Sequence, residues 1–204
     1  MYKRQGYIYT RIGNPTIRAL EKNIAELENG FDGIATGSGL GAISTVFLAL
    51  LTQGQHLVST ASVYGPSRGI VEKHLHRFGV TGSFVDTSNL NQVREAIRPE
   101  TKVIYVETPA NPSMIVTDLK AVAEIAHANQ CILVVDNTFA SPFLQKPLDT
   151  GADVVLHSLT KFINGHADIV GGIIVTKTEE LYRTIRPLMI DMGCLLYTSD
   201  AADE

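Results

Sequence analysis

Gly37-Ser38-Gly39 precedes a mostly apolar run that ends near Leu51. At the start of a helix, backbone N–H groups there could hold a phosphate at the positive end of the helix dipole. A tight strand-to-helix turn accounts for the same glycines. A nucleotide P-loop would add a lysine at the helix start, and none stands there. A dinucleotide fold would add an acidic residue about 20 positions on, at the end of the next strand. That strand ends in Val58-Ser59-Thr60-Ala61. Asp136 closes the apolar run Ile132-Leu133-Val134-Val135, where an unpaired carboxylate is expensive to desolvate. It should face a cation or several donors, and a helix cap or loop ion pair would also serve. Lys161 follows Ser158 and Thr160, although a single lysine is ordinarily a surface residue. Taken jointly, a lysine, a carboxylate, hydroxyls and a phosphate-ready helix start fit pyridoxal 5'-phosphate. That cofactor needs a lysine for its Schiff base, a carboxylate for its pyridine nitrogen and a phosphate cradle.

These residues need elements to position them. Asn14-Pro15 reads as a helix cap followed by proline at the first helical position, and Ile17, Leu20, Ile24 and Leu27 recur at helical spacing before Asn29-Gly30. Strands are expected near Ile34–Thr36, His56–Thr60, Val80–Val85, Val103–Glu107, Cys131–Asp136, Val154–His157 and Gly172–Thr176. Helices are expected up to Leu51, after Pro66, and over Leu90–Ile97, Asp118–Asn129 and Glu179–Arg186. Continuous apolar strands suit a parallel sheet covered on both faces, so the class is α/β with an open, mainly parallel sheet. Ligands collect at the carboxyl ends of such strands. The residues just past those ends include Ser38, Gly39, Tyr64, Glu107, Asn111, Asp136, Ser158, Thr160 and Lys161.

Composition narrows the classes further. In 204 residues, 45 % are hydrophobic and 19 % charged, enough apolar residue for a sizeable core. The net charge of -4 argues against a surface for nucleic acid or anionic membrane. No apolar run reaches the roughly 18 residues of a membrane span. Cys131 and Cys194 form no disulfide framework, which suits a reducing, cytoplasmic setting. His74 and His76 are two apart, on different helical faces, and His166-Ala-Asp168 lacks further ligands at metal spacing, so no metal site is expected. Met1–Gln5 and the tail Cys194–Glu204 resemble translated sequencing adaptor, leaving Gly6–Gly193 as the expected native stretch.

The motifs in order resemble the Cys/Met-metabolism family of pyridoxal-phosphate enzymes, the transsulfuration γ-lyases and γ-synthases. They are Tyr9-Thr-Arg11-Ile-Gly-Asn14-Pro-Thr16, Ser38-Gly-Leu-Gly-Ala-Ile43, Val63-Tyr64-Gly65, Glu107-Thr-Pro-Ala-Asn111-Pro112, Val134-Val-Asp136-Asn-Thr138 and His157-Ser-Leu-Thr-Lys161-Phe-Ile-Asn-Gly-His166. The resemblance implies the large domain of a fold-type I enzyme, a seven-stranded sheet with helices on both faces. It implies that Lys161 is the Schiff-base lysine and proton carrier, that Asp136 pairs with the pyridinium nitrogen, and that Tyr64 stacks on the ring and assists proton transfer. The Gly39 and Leu40 amides, with Ser38, Ser158 and Thr160, would hold the phosphate, and Glu107 and Asn111 would line the pocket. Tyr9 and Arg11 would reach the phosphate of a neighbouring subunit, making a homodimer or homotetramer the working unit. A C-terminal domain with the arginine for the substrate carboxylate would lie beyond Gly193.

The implied activity is carbon–sulfur bond cleavage by α,γ-elimination on methionine or a related sulfur amino acid. Replacement on an activated homoserine (sulfhydrylase or cystathionine γ-synthase) and cystathionine γ-cleavage use the same residues. Pro66, two after Tyr64, stands where methionine γ-lyases often carry cysteine. A nicotinamide oxidoreductase would explain the glycine turn but not Lys161, and an inactive scaffold remains open for the chain alone.

Overall fold

The computed structural model describes residues 6–7 and 9–196. Of the adaptor-like segments, residues 1–5 and 197–204 lie outside the described residues. Asn14 caps α1 (Pro15–Leu27) by accepting from the Ile17 N–H at 2.8 Å, and Asn29 at φ 57° ends it. The chain then runs through β1 (Asp32–Thr36), α2 (Gly39–Leu50), β2 (His56–Thr60), α3 (Gly65–Gly69), β3 (Thr81–Val85), α4 (Leu90–Ala96) and β4 (Thr101–Glu107). It continues with α5 (Leu119–Ala128), β5 (Ile132–Asp136), α6 (Ser141–Leu144), β6 (Val154–Ser158), β7 (Gly172–Thr176) and α7 (Glu179–Asp191).

The seven strands form one sheet in the order β1-β7-β6-β5-β4-β2-β3. Strands β2 to β6 pair in parallel, and β7 is antiparallel to both β1 and β6. The mainly parallel, seven-stranded α/β sheet is therefore as expected. Pleating divides each buried strand between two cores. On β5, Leu133 and Val135 pack with Ile24 of α1 and Val122 of α5. Val134 faces the other way, with Phe47 of α2 and Ile185 of α7. This double covering is why the strands read as unbroken apolar runs.

The last helix runs past its expected end at Arg186 to Asp191, with Pro187 inside it. An interior proline costs a helix about 3 kcal/mol. Ile185 and Met189 flank it on the buried face, and burying each contributes about 1.5–3 kcal/mol, which offsets that loss. Pro187 itself is exposed, so water can reach the carbonyl it leaves unpaired. The short α6 has no periodic apolar signal and was not expected from the sequence.

At the amino end of β2, His56 is buried between Thr101 Oγ1 at 2.8 Å (Nδ1) and Ser83 Oγ at 3.0 Å (Nε2). Burial, helped by the Arg98 charge, lowers its pKa from 6.5. The folded chain thus resists a proton that the unfolded chain accepts, and stability is lost as pH falls from 6.5 through the lowered value. Urea titrations across that window should show the midpoint falling with pH, and His56→Gln should flatten the dependence.

Candidate functional site

A cavity of about 350 Å³ opens where the carboxyl ends of β4, β5 and β6 meet the start of α2. Its lining includes Ser38, Gly39, Leu40, Tyr64, Glu107, Asn111, Asp136, Ser158, Thr160 and Lys161, which are all the expected site residues except Tyr9 and Arg11. Tyr9 lines a separate groove with Tyr7, Ile12 and Arg186. The Arg11 guanidinium lies 5.3 Å from the Tyr9 ring centre and donates to the Ile190 carbonyl at 3.2 Å. The structure does not bring this pair to the cavity of its own chain.

The helix start is built by close approach. Ser38 caps α2 by accepting from the Gly41 N–H at 2.9 Å, and its carbonyl accepts from Ala42 at 3.0 Å. The Gly39 and Leu40 N–H groups precede the first possible intrahelical acceptor and point out of the helix. A Cβ on Gly39 would stand 2.8 Å from Ser158 Cβ, and one on Gly172 would stand 2.2 Å from the Ser38 carbonyl oxygen. Glycine at both positions lets the turn sit directly on the ends of β6 and β7. This contact sets the start of α2 and the Ser158 hydroxyl side by side on the cavity wall. The Thr160 hydroxyl, on the same rim, accepts from the Gly171 N–H at 3.2 Å.

Two carboxylates share the cavity. Asp136 Oδ1 accepts from the Thr138 N–H at 3.0 Å, and Oδ2 from the Tyr105 hydroxyl at 3.1 Å. Glu107 Oε2 accepts from the Tyr64 N–H at 2.8 Å, and Oε1 from the Asn111 N–H at 3.2 Å. Both residues are buried, and among the described residues neither forms an ion pair. Desolvation raises the Glu107 pKa above 4.5, opposed by the Tyr64 N–H and reinforced by the Asp136 charge. Lys161 is exposed at the cavity rim, in a turn where its N–H donates to the Ser158 carbonyl at 3.3 Å.

Sequence reasoning gave no role to Tyr105, Thr138 or Phe139. Tyr105 lies two residues before Glu107, so strand alternation puts both on one face, a signal present in the sequence. Thr138 Oγ1 accepts from the Ser158 N–H at 2.9 Å and ties the ends of β5 and β6 together. Phe139 lines the cavity and stands edge-on to Phe162, with ring centres 5.6 Å apart. On the opposite face, His157 Nε2 lies 2.5 Å from Glu28 Oε1, with both side chains fully buried. Asn137 donates to the same Glu28 oxygen at 2.9 Å and to the Gln145 carbonyl at 2.8 Å. Asp136 and Ser158 thus each have a neighbour in the chain that is locked on the far side of the sheet.

The family model described as Cys/Met metabolism PLP-dependent enzyme matches residues 1–202. The chain belongs to that family. It is 50% identical over 175 residues to the L-methionine gamma-lyase of Fusobacterium nucleatum subsp. nucleatum, covering 85% of this chain and 44% of that protein. It is 48% identical over 194 residues to the cystathionine beta-lyase of Bacillus subtilis, covering 95% of this chain and 50% of the relative. The solved cystathionine gamma-lyase from Lactobacillus plantarum, complexed with L-serine, superposes with a TM-score of 0.93 at 44% identity, over 96% of this chain and 51% of that one. The chain therefore spans about half the length of the relatives it matches.

The residues present fit the family's cofactor. The outward N–H groups at the start of α2, beside the Ser158 and Thr160 hydroxyls on one cavity wall, match a phosphate. Asp136 has a donor on each oxygen but no cation among the described residues, which matches a protonated ring nitrogen. Lys161 offers an amine on the same cavity. A raised Glu107 pKa means that this carboxylate is a burden on stability once ionised, so the Glu107 contribution is present below 4.5 and lost as pH rises through the raised value. Thermal scans should show the Tm falling as pH rises from 4.5 through the raised value, and Glu107→Gln, which cannot ionise, should flatten that dependence.

Proposed function

We propose that the chain is the cofactor-binding part of a carbon–sulfur lyase that carries out α,γ-elimination on methionine or a related sulfur amino acid. The observation that carries this reading is the convergence of Lys161, Asp136, Tyr64 and the Ser38–Leu40 helix start on one cavity, in a chain of this family. The relatives named L-methionine gamma-lyase support the choice of substrate. Bound there, pyridoxal phosphate would supply an aldehyde that condenses with amines and an electron-poor ring that stabilises charge on the attached carbon.

The Gly39 and Leu40 N–H groups and the Ser158 and Thr160 hydroxyls hold the phosphate in this reading, with Ser38 capping the helix behind them. Asp136 keeps the ring nitrogen protonated, Tyr64 covers the ring, and Glu107 and Asn111 bound the substrate end. Lys161 Nζ takes the proton from the substrate Cα and exchanges protons at Cβ, while the Tyr64 hydroxyl serves as the acid that protonates the departing sulfur. With one water consumed, the products are a thiol, ammonia and a 2-oxo acid. Tyr9 and Arg11, away from their own cavity, complete the phosphate site of a neighbouring subunit in a homodimer or homotetramer. Tyr64, Met114, Phe143 and Phe162 are exposed large apolar side chains that such an assembly could cover. Among the described residues no helix is long and apolar enough to cross a membrane, and we place the protein in the cytoplasm.

Cystathionine cleavage is the second reading, favoured by the 48% identity to a cystathionine beta-lyase. Product analysis separates the two. Methanethiol and 2-oxobutanoate from methionine support the first, whereas turnover of cystathionine with methionine untouched supports the second. Absence of both products from both substrates, assayed on the whole protein, would overturn the lyase assignment.

Borohydride reduction of the chain with pyridoxal phosphate should fix a pyridoxyl label on Lys161, located by peptide mass spectrometry, and Lys161→Ala should abolish both label and elimination. A label on another lysine would refute the assignment. Asp136→Asn should retain measurable cofactor binding while elimination falls by at least about 100-fold, because a neutral amide does not stabilise a protonated ring nitrogen. Near-normal turnover would leave Asp136 a structural role only.

A further inference from the structure

We infer that Tyr105 is a positioning residue: its phenol holds the Asp136 carboxylate in place for the cofactor's ring nitrogen. This assignment rests on the proposed function. Tyr105 is 1% exposed in the middle of the sheet, on the face that carries Val103 and Glu107. Its ring meets Phe47 of α2 edge-on, with centres 5.1 Å apart and planes at 83°. Phenylalanine would fill that space as well. What the hydroxyl adds is a donor, directed at Asp136 Oδ2 at 3.1 Å. A buried phenol is retained where its O–H finds a partner.

The geometry distinguishes this contact from a passive one. Register sets Glu107 of β4 beside Asp136 of β5, so the two buried carboxylates lie on adjacent strand ends. The Thr138 N–H on Oδ1 and the Tyr105 O–H on Oδ2 hold both oxygens of Asp136 and set its plane beside Glu107. Burial and the Asp136 charge push the Tyr105 pKa well above 10, so the phenol keeps its proton at neutral pH and remains a donor.

Tyr105→Phe is the test, with pyridoxal phosphate and its 1-deaza analogue (ring nitrogen replaced by C–H) as paired probes. Removing a hydrogen bond to a charged group should weaken pyridoxal phosphate binding by about tenfold, while affinity for the deaza analogue changes less than about twofold. With ring-¹⁵N-labelled cofactor, the bound nitrogen resonance should move toward the unprotonated pyridine position. Equal losses for both probes, or an unmoved ¹⁵N resonance, would make Tyr105 a packing residue and overturn the assignment. The Asp136→Asn background closes the cycle, because Tyr105→Phe should have no further effect there. If Tyr105→Phe folds only in that background, the hydroxyl acts on the carboxylate as assigned, and failure to fold in both overturns the assignment. Unsubstituted chain that binds both probes equally would instead refute the pairing of Asp136 with the ring nitrogen, and chain that binds neither would refute the proposed function. The inference falls with either.

Discussion

The site depends on an unresolved charge. Asp136 and Glu107 end neighbouring strands, buried, with N–H and O–H donors on their oxygens and no cation among the described residues. Burying a carboxylate without a counter-charge is costly, and hydrogen bonds offset only part of that cost. The surrounding structure supports the two groups. Strand ends supply backbone and hydroxyl donors, the α2 and α3 starts close over them, and Lys161 stands at the rim rather than in contact. The arrangement is suited to a ligand that brings its own positive charge.

Holding such groups demands rigid strand ends, and the far side of the sheet provides them. Glu28 at the end of α1 meets His157 of β6 and Asn137 just past β5, while Gln145 donates to the Asn137 side-chain oxygen at 3.0 Å and to the Thr108 carbonyl at 3.3 Å. Leaving a buried polar group without its partner typically costs about 1–3 kcal/mol, so a cluster of this kind stays closed while the protein is folded. The two faces share their strands. Ordering the polar cluster therefore also orders Asp136 and Ser158.

Much of this was legible in the residues. Asn14-Pro15, the unbroken apolar run before Asp136 and the Gly37–Gly39 turn each report a local constraint, namely a cap, a doubly covered strand and a close backbone approach. Their positions along the chain, combined with the parallel-sheet rule, were enough to gather nine of the cavity's residues at one sheet edge. What stayed hidden depends on partners distant in sequence. The proline of α7 is tolerated because of burial against the core, which no local window displays. His157 reads as a neighbour of the lysine, since nothing nearby names Glu28, 129 positions away, as its partner. Tyr105 looks like another large core residue until its hydroxyl is seen to end on Asp136. Arg11 and Tyr9 carry a motif, but their place outside the cavity of their own chain follows from the path of the arm before α1.

The pleat of β5 and β6 gives the chain a guard against misalignment. Asp136 and Ser158 face the cavity, and their chain neighbours Asn137 and His157 face the polar cluster. A slip of one residue in either strand would exchange the two sets, sending an acid or a hydroxyl toward Glu28 and an amide or imidazole into the cavity. Both faces would then be mismatched at once. An apolar strand can slide with little penalty at its ends, whereas these two carry a different polar requirement on each side. Alignment is thus checked twice by adjacent residues, and a chain that folds with its buried cluster formed has also placed its reactive groups on the correct side.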